Sequence, residues 1–125
     1  MIQAADGSDA PLFAGWRDLP EPDGEPELVV HRMNALRELR AARAGAAIRQ
    51  VGLDPATAFM IRTPYMAGIF GGPEPSEPPA EIDKDLWQSA EDLTERAFAA
   101  DLAVLDDDEL AEFCRLTDAL LAAIP

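Results

Sequence analysis

The sequence predicts an all-α protein, a small bundle of about four main helices over residues 27–51, 55–63, 80–103 and 107–123 with an extended N-terminal arm. Three observations carry that prediction. No segment sustains the period-two alternation of apolar and polar residues that a half-buried strand needs. Two long stretches without proline are dominated by strong helix formers, chiefly Ala, Leu, Arg and Glu. Two helix starts are also written into the chain: Asp54-Pro55 is an N-cap with proline at the first helical position, and Asp106 with Glu109 forms a capping box.

The elements follow in chain order. Residues 1–11 read as frayed, and Leu12, Phe13, Trp16 and Leu19 then fall at a spacing that suits one or two helical turns. Pro20, Pro22, Gly24 and Pro26, interleaved with acids, make a stiff linker, so residues 1–27 form an arm and 28–125 a single helical domain. Phe13 and Trp16 are expected to clip the arm onto the helical body or onto a second subunit. Along residues 27–51, Val29, Met33, Leu36, Ala44, Ala47 and Val51 share one face, while Ala35, Ala41, Ala42, Gly45 and Ala46 form a small opposite face.

Gly52 stops this helix, and Pro64 ends the next one. Phe59, Met60, Ile61, Tyr65, Met66, Ile69 and Phe70 form the densest cluster of large apolar residues, read first as core and second as an adaptable cavity or partner groove. An internal linker at residues 71–79 is marked by Gly-Gly and repeated proline. The helix beyond it presents Ile82, Leu86, Ala90, Leu93, Ala97 and Ala100 as its stripe. On the last helix Leu110, Phe113, Cys114, Thr117, Leu120, Leu121 and Ile124 make an apolar face, with Cys114 expected to be a buried small hydrophobe.

Charge is strongly segregated within a net −14. Residues 1–28 hold Arg17 against seven acids, residues 29–72 hold six arginines against Glu38 and Asp54, and residues 73–125 hold three basic residues against fifteen acids. An acidic chain repels phosphates at long range, so nucleic acid is an unlikely partner on this count. Arginine inside an apolar stripe must find a carboxylate, because an unpaired buried guanidinium is very costly. Arg32, Arg40 and Arg43 are therefore expected to pair with acids of a later helix, Glu91, Asp92 and Glu95 being the candidates. The alternative is that these arginines cradle an anionic ligand. The candidate ligand or partner residues are accordingly Arg32, Arg40, Arg43, Phe59, Met60, Tyr65, Met66 and Phe70.

Catalytic constellations do not emerge. His31 is the only histidine and Cys114 the only cysteine, so a zinc site lacks ligands and no intrachain disulfide is possible. The acids at 106–109 diverge around a helix start and suit its dipole better than a cation. No metal, no cofactor and no enzymatic activity are expected. The N-terminus has no secretory pattern and no apolar run approaches a membrane span, so a cytoplasmic location is expected. Residues 46–62 have the outline of a helix-turn-helix unit whose second helix would turn Thr57, Ala58, Ile61 and Arg62 toward a DNA groove. The apolar run Phe59-Met60-Ile61, a single arginine on that second helix and a pI near 4.2 weigh against that reading.

The blocks Trp16, Leu19-Pro20 and Pro22-Asp23, then Leu36-Arg37-Glu38-Leu39-Arg40, Gly52-Leu53-Asp54-Pro55-Ala56 and Asp92-Leu93-Thr94-Glu95 resemble a family of uncharacterised actinobacterial all-helical proteins. From Leu105 onward the chain is similar to the C-terminal dimerisation helices of MarR-type regulators. The resemblance implies a helical, dimeric regulatory protein and supplies no catalytic residues. The reading is a non-enzymatic binding or regulatory module, expected to be a homodimer, with a protein partner or a small anionic or apolar ligand. Its alternatives are a helix-turn-helix regulator using residues 46–62 and an acidic nucleic-acid mimic that occupies a basic protein.

Overall fold

The computed structural model describes residues 2–66, 69 and 78–123. Among them the chain is helical with no strand: α1 (Pro11–Asp18), α2 (Glu25–Val51), α3 (Pro55–Arg62), a 3₁₀ turn at Pro64–Met66, α4 (Glu81–Leu102) and α5 (Asp107–Ala122). Phe70 and most of the expected 71–79 linker lie outside the described residues.

Helix α2 is the spine. Its 27 residues make a rod about 40 Å long. Helices α1 and α4 both lie against it, and α3 packs on α2 and α4. Seven of the ten buried apolar residues described are alanine, the others being Phe13, Leu39 and Leu53. Alanine lets helix backbones approach closely but removes little apolar area, so the large buried side chains carry a disproportionate share of the stabilisation.

The N-terminal arm is part of this core. Phe13 on α1 is fully buried with Ala5, Ala10, Ala35 and Leu39, and Ile2, Trp16 and Phe98 close the cluster from its edges. Arg17 lies over the Phe13 ring at 5.3 Å and donates from Nη1 to the Ala5 carbonyl at 3.2 Å. Trp16 meets His31 of α2 edge to face, with ring centroids 5.5 Å apart. The expectation that residues 1–11 fray is therefore corrected. Their anchors are two alanines, which carry no hydrophobic signal strong enough to read in sequence.

The stripe expected on α2 is also corrected in part. Ala44 and Ala47 are buried as expected, but the other buried positions are Ala35 and Leu39, and Val29 is 55% exposed. Docking of α1 onto the small face moves the core there. The Val29–Met33–Leu36 end instead lines a groove facing α5. On α4 the buried positions are Ala90 and Thr94, whose hydroxyl donates to the Ala90 carbonyl at 2.7 Å, while Ile82 is exposed.

Helix α5 buries none of its residues. Cys114 is exposed, and so are Leu116, Leu120 and Leu121. Of the face expected to be core, Leu110 and Phe113 are half-buried and the rest is exposed, while Ile124 lies outside the described residues.

Two ionic clamps tie the layers together. Arg43 of α2 makes a bidentate contact with Asp101 of α4, Nε to Oδ2 at 2.8 Å and Nη2 to Oδ1 at 3.0 Å. The same guanidinium reaches the N-terminal arm, donating to Asp9 Oδ1 at 2.7 Å and to the Asp6 carbonyl at 3.0 Å. Arg40 meets Glu91 at 3.4 Å, one of the carboxylates named from sequence.

Truncating Phe13 to alanine is expected to cost about 3–5 kcal/mol, because a fully buried aromatic leaves a cavity among alanines that cannot collapse into it. Urea unfolding followed by circular dichroism measures this. Replacing Asp101 with asparagine is expected to cost about 2–4 kcal/mol, since it strands a mostly buried guanidinium.

Candidate nucleic-acid interface

The α2–α3 corner is built by local sequence. Gly52 takes φ 75° and ψ 19°, the left-handed conformation that glycine alone adopts without strain. Its N–H donates to the Arg49 carbonyl at 3.2 Å, and the Leu53 N–H donates to the Ile48 carbonyl at 3.1 Å. This pair of bonds is a Schellman motif, which satisfies the last carbonyls of α2 and turns the chain. Leu53, the residue after the glycine, is buried and pins the turn to the core.

Asp54 then starts α3. Its Oδ2 accepts from the Thr57 backbone N–H at 2.9 Å and from the Thr57 hydroxyl at 3.1 Å. These bonds to the Thr57 backbone and then to its hydroxyl hold the carboxyl below its ordinary value of 3.8. Pro55 fills the first helical position, where its missing N–H costs nothing.

Helix α3 is inserted edgewise between the bundle and solvent. Ala58 is buried, Thr57, Met60 and Ile61 are half-buried, and Pro55, Ala56, Phe59 and Arg62 are exposed. Ala56, Phe59 and Arg62 recur every three residues and so share one outward face. The face expected from sequence (Thr57, Ala58, Ile61, Arg62) is thus corrected by part of a turn. Ala58 and Ile61 sit toward α2 and α4, because both neighbours pack on that side of the helix.

The other sequence-selected residues are dispersed. Arg32 makes a two-pronged contact with Glu21, both bonds at 3.1 Å, far along α2 from the corner. Arg40 and Arg43 point to different carboxylates, so the three arginines form no common cradle. Arg43 is held protonated more firmly than usual, first by its hydrogen bond to Asp101. Tyr65 is 76% exposed and Met60 and Met66 are half-buried, so these and Phe59 form a partly open surface rather than the expected core. Among the described residues no group of His, Cys, Asp or Glu is arranged to hold a metal ion.

Seven of the ten basic residues have a carboxylate within salt-bridge distance. Arg49, Arg62 and Arg96 have none among the described residues. Arg49 lies in the last turn of α2, Arg62 in the last turn of α3, and Arg96 on α4. Arg96 shares a shallow depression of about 590 Å³ with Gln50 at the end of α2 and with Arg43 and its partners Asp9 and Asp101. Only Arg62 of these three was selected from sequence. Arg49 could have been found from the scarcity of acids around residues 29–72, whereas Arg96 has Asp92 and Glu95 as sequence neighbours and stands out only in three dimensions.

A long helix, a tight glycine turn and a capped short helix define a helix-turn-helix class of protein. A family model described as a helix-turn-helix family matches residues 1–78, which take in α1, α2, α3 and the turn after them. The match spans more than half the chain, and the protein belongs to that family. No curated protein and no solved structure matches the chain.

Membership overturns the expectation that nucleic acid is an unlikely partner, since a helix-turn-helix family points to DNA. The physical reason is one of scale. Net charge describes the whole chain, whereas phosphate contacts depend on charge within about a Debye length, roughly 8 Å at physiological salt. The family also fits a binding role rather than a catalytic one. No helix among the described residues is long and apolar enough to cross a membrane.

Replacing Asp54 with alanine is expected to lower the urea midpoint at pH 7 by removing the α3 cap. Because the folded carboxyl lies below its ordinary 3.8, its contribution is present above that value and is lost as pH falls through the folded value. The gap between wild type and variant should accordingly narrow in melts run from pH 5 down to pH 2. Substituting Gly52 with alanine should cost about 1–2 kcal/mol from left-handed strain alone.

Proposed function

We propose that the chain is a DNA-binding regulatory module in which α3 is presented to duplex DNA by the Gly52 corner. One observation is added to family membership: among the described residues, the cations with no carboxylate within salt-bridge distance are Arg49 in the last turn of α2, Arg62 in the last turn of α3 and Arg96 on α4. The remaining basic residues are already neutralised within the fold, so they add little attraction for phosphate. In this reading Arg49, Arg62 and Arg96 contact phosphates, while Ala56 and Phe59 on the exposed face of α3 reach base edges. Alanine and phenylalanine are suited to apolar contact with a thymine methyl group. The surrounding acid suppresses non-specific association and leaves the corner as the region of attraction.

The test begins with selection of bound sequences from a random duplex pool, followed by fluorescence anisotropy across salt concentrations. Binding is expected to weaken linearly on a log–log plot with a slope of about −2 to −3 per chain, as three phosphate contacts require. Changing Arg62 to alanine should reduce the slope by about 1 and weaken all sequences alike. Changing Phe59 to alanine should instead alter which sequences are preferred. Enrichment of no sequence, together with no anisotropy change at low salt, would reject the reading.

A further inference from the structure

Between α5 and the first half of α2 lies a groove of about 590 Å³, within the usual size range of small-molecule sites. Its two long walls are built alike. Helix α2 contributes Val29, Arg32, Met33 and Leu36, and α5 contributes Glu109, Glu112, Phe113 and Leu116. Each set falls at i, i+3, i+4 and i+7, so each lies on one helix face. Met33, Leu36 and Phe113 are half-buried, as is Leu105 of the groove lining just before α5, while Val29 and Leu116 are exposed. The apolar stripe at this end of α2 therefore faces an apolar counterpart across open space. Among the described residues α5 packs closely on no other helix, so the bundle does not close that space.

We infer that this groove binds a small organic cation, an apolar body carrying one ammonium-type head. The body lies against Met33, Leu36 and Phe113, and the head sits at Glu109 and Glu112. Charge selects that ligand class. The lining holds three carboxylates, Glu21, Glu109 and Glu112, against one cation, Arg32. Arg32 is already engaged, donating to both oxygens of Glu21 at 3.1 Å, so it offers an anion little. Glu112 pairs at 2.6 Å with Arg115, which stands outside the lining. Glu109 accepts from the Asp106 backbone N–H at 3.1 Å and has no cation within salt-bridge distance among the described residues.

Glu109 and Glu112 are three residues apart on one helix face, so their carboxylates can flank a single head. The positive end of the α5 dipole does not reverse the preference, because Asp106, Asp107, Asp108 and Glu109 crowd that end. Phe113 adds a ring, whose face attracts a cation. A neutral amphiphile gains the floor alone, and an anionic one meets three carboxylates. The groove ends at Leu36, roughly 24 Å along α2 from Gly52, and the inference does not rest on DNA binding.

Isothermal titration calorimetry of the full chain at pH 7 tests this without DNA, using decylammonium, decanol and decanoate below their micellar concentrations. The three probes share a tail and differ in head charge. Decylammonium is expected to bind at least about tenfold more tightly than decanol, and decanoate more weakly than decanol. The double variant Glu109→Gln/Glu112→Gln should erase the decylammonium advantage and leave decanol binding unchanged. Helical content should not change, since glutamine serves the α5 capping box as glutamate does. In methyl NMR spectra decylammonium should shift Met33, Leu36 and Leu116 and leave Leu53, beyond the far end of α2, unmoved. Three results overturn the inference: no binding by any probe, decanol or decanoate binding as tightly as decylammonium, or an advantage that survives the double variant. A methyl pattern that leaves Met33 and Leu36 untouched does so too, by placing the contact elsewhere.

Discussion

The relative placement of the arm, α2 and α4 depends on Arg43. Its guanidinium binds Asp101 of α4 in a bidentate contact while holding Asp9 and the Asp6 carbonyl of the N-terminal arm. Three segments distant in sequence therefore converge on one planar group. Both Arg43 and Asp101 are mostly buried, so their attraction is weakly screened, and the geometry supplies the hydrogen bonds that make a buried pair tolerable. An alanine-rich core needs such a clamp. Close-packed alanines bring helices together without fixing their rotation, and a forked donor with four acceptor atoms on three residues fixes it.

The clamp has a consequence for charge. A chain with fourteen excess negative charges spends most of its basic residues on its own carboxylates. Among the described residues what remains is a small set, Arg49 in the last turn of α2, Arg62 in the last turn of α3 and Arg96 on α4. Low overall pI and local attraction for phosphate are compatible because the first is a sum and the second is a short-range field. The family match covers α1 to α3, and α4 contributes the packing that orients α3 from outside the matched residues.

The molecule thus divides its labour along the chain. The first half carries the arm, spine and corner, and α4 locks them. Helix α5 has no fully buried residue and leaves Leu116, Leu120 and Leu121 in solvent. An acidic face with a leucine strip is wasteful in a helix that stabilises only its own fold. It is economical in one that meets a second molecule.

Sequence alone determined whatever depends on a few neighbouring residues. The all-α class, the stop at Gly52, the Asp54-Pro55 start and the Asp106–Glu109 capping box are local physics of backbone angles and orphan N–H groups, and each is found where the residues predict it. The pairing of Arg40 with Glu91 was legible too, whereas Arg32 and Arg43, expected to take acids of the same stretch, pair with Glu21 and with Asp9 and Asp101. Tertiary structure decided which faces are inside. Alanine at positions 5, 10 and 35 is buried, while Leu120, Leu121 and Tyr65 are exposed, an order that no hydropathy pattern predicts. Burial depends on which helix docks where, and in a core of small residues that choice rests on shape and on long-range ion pairs such as Arg43 with Asp101. Long-range pairing likewise decides where Arg32, Arg40 and Arg43 point, since their carboxylates lie on segments distant in sequence.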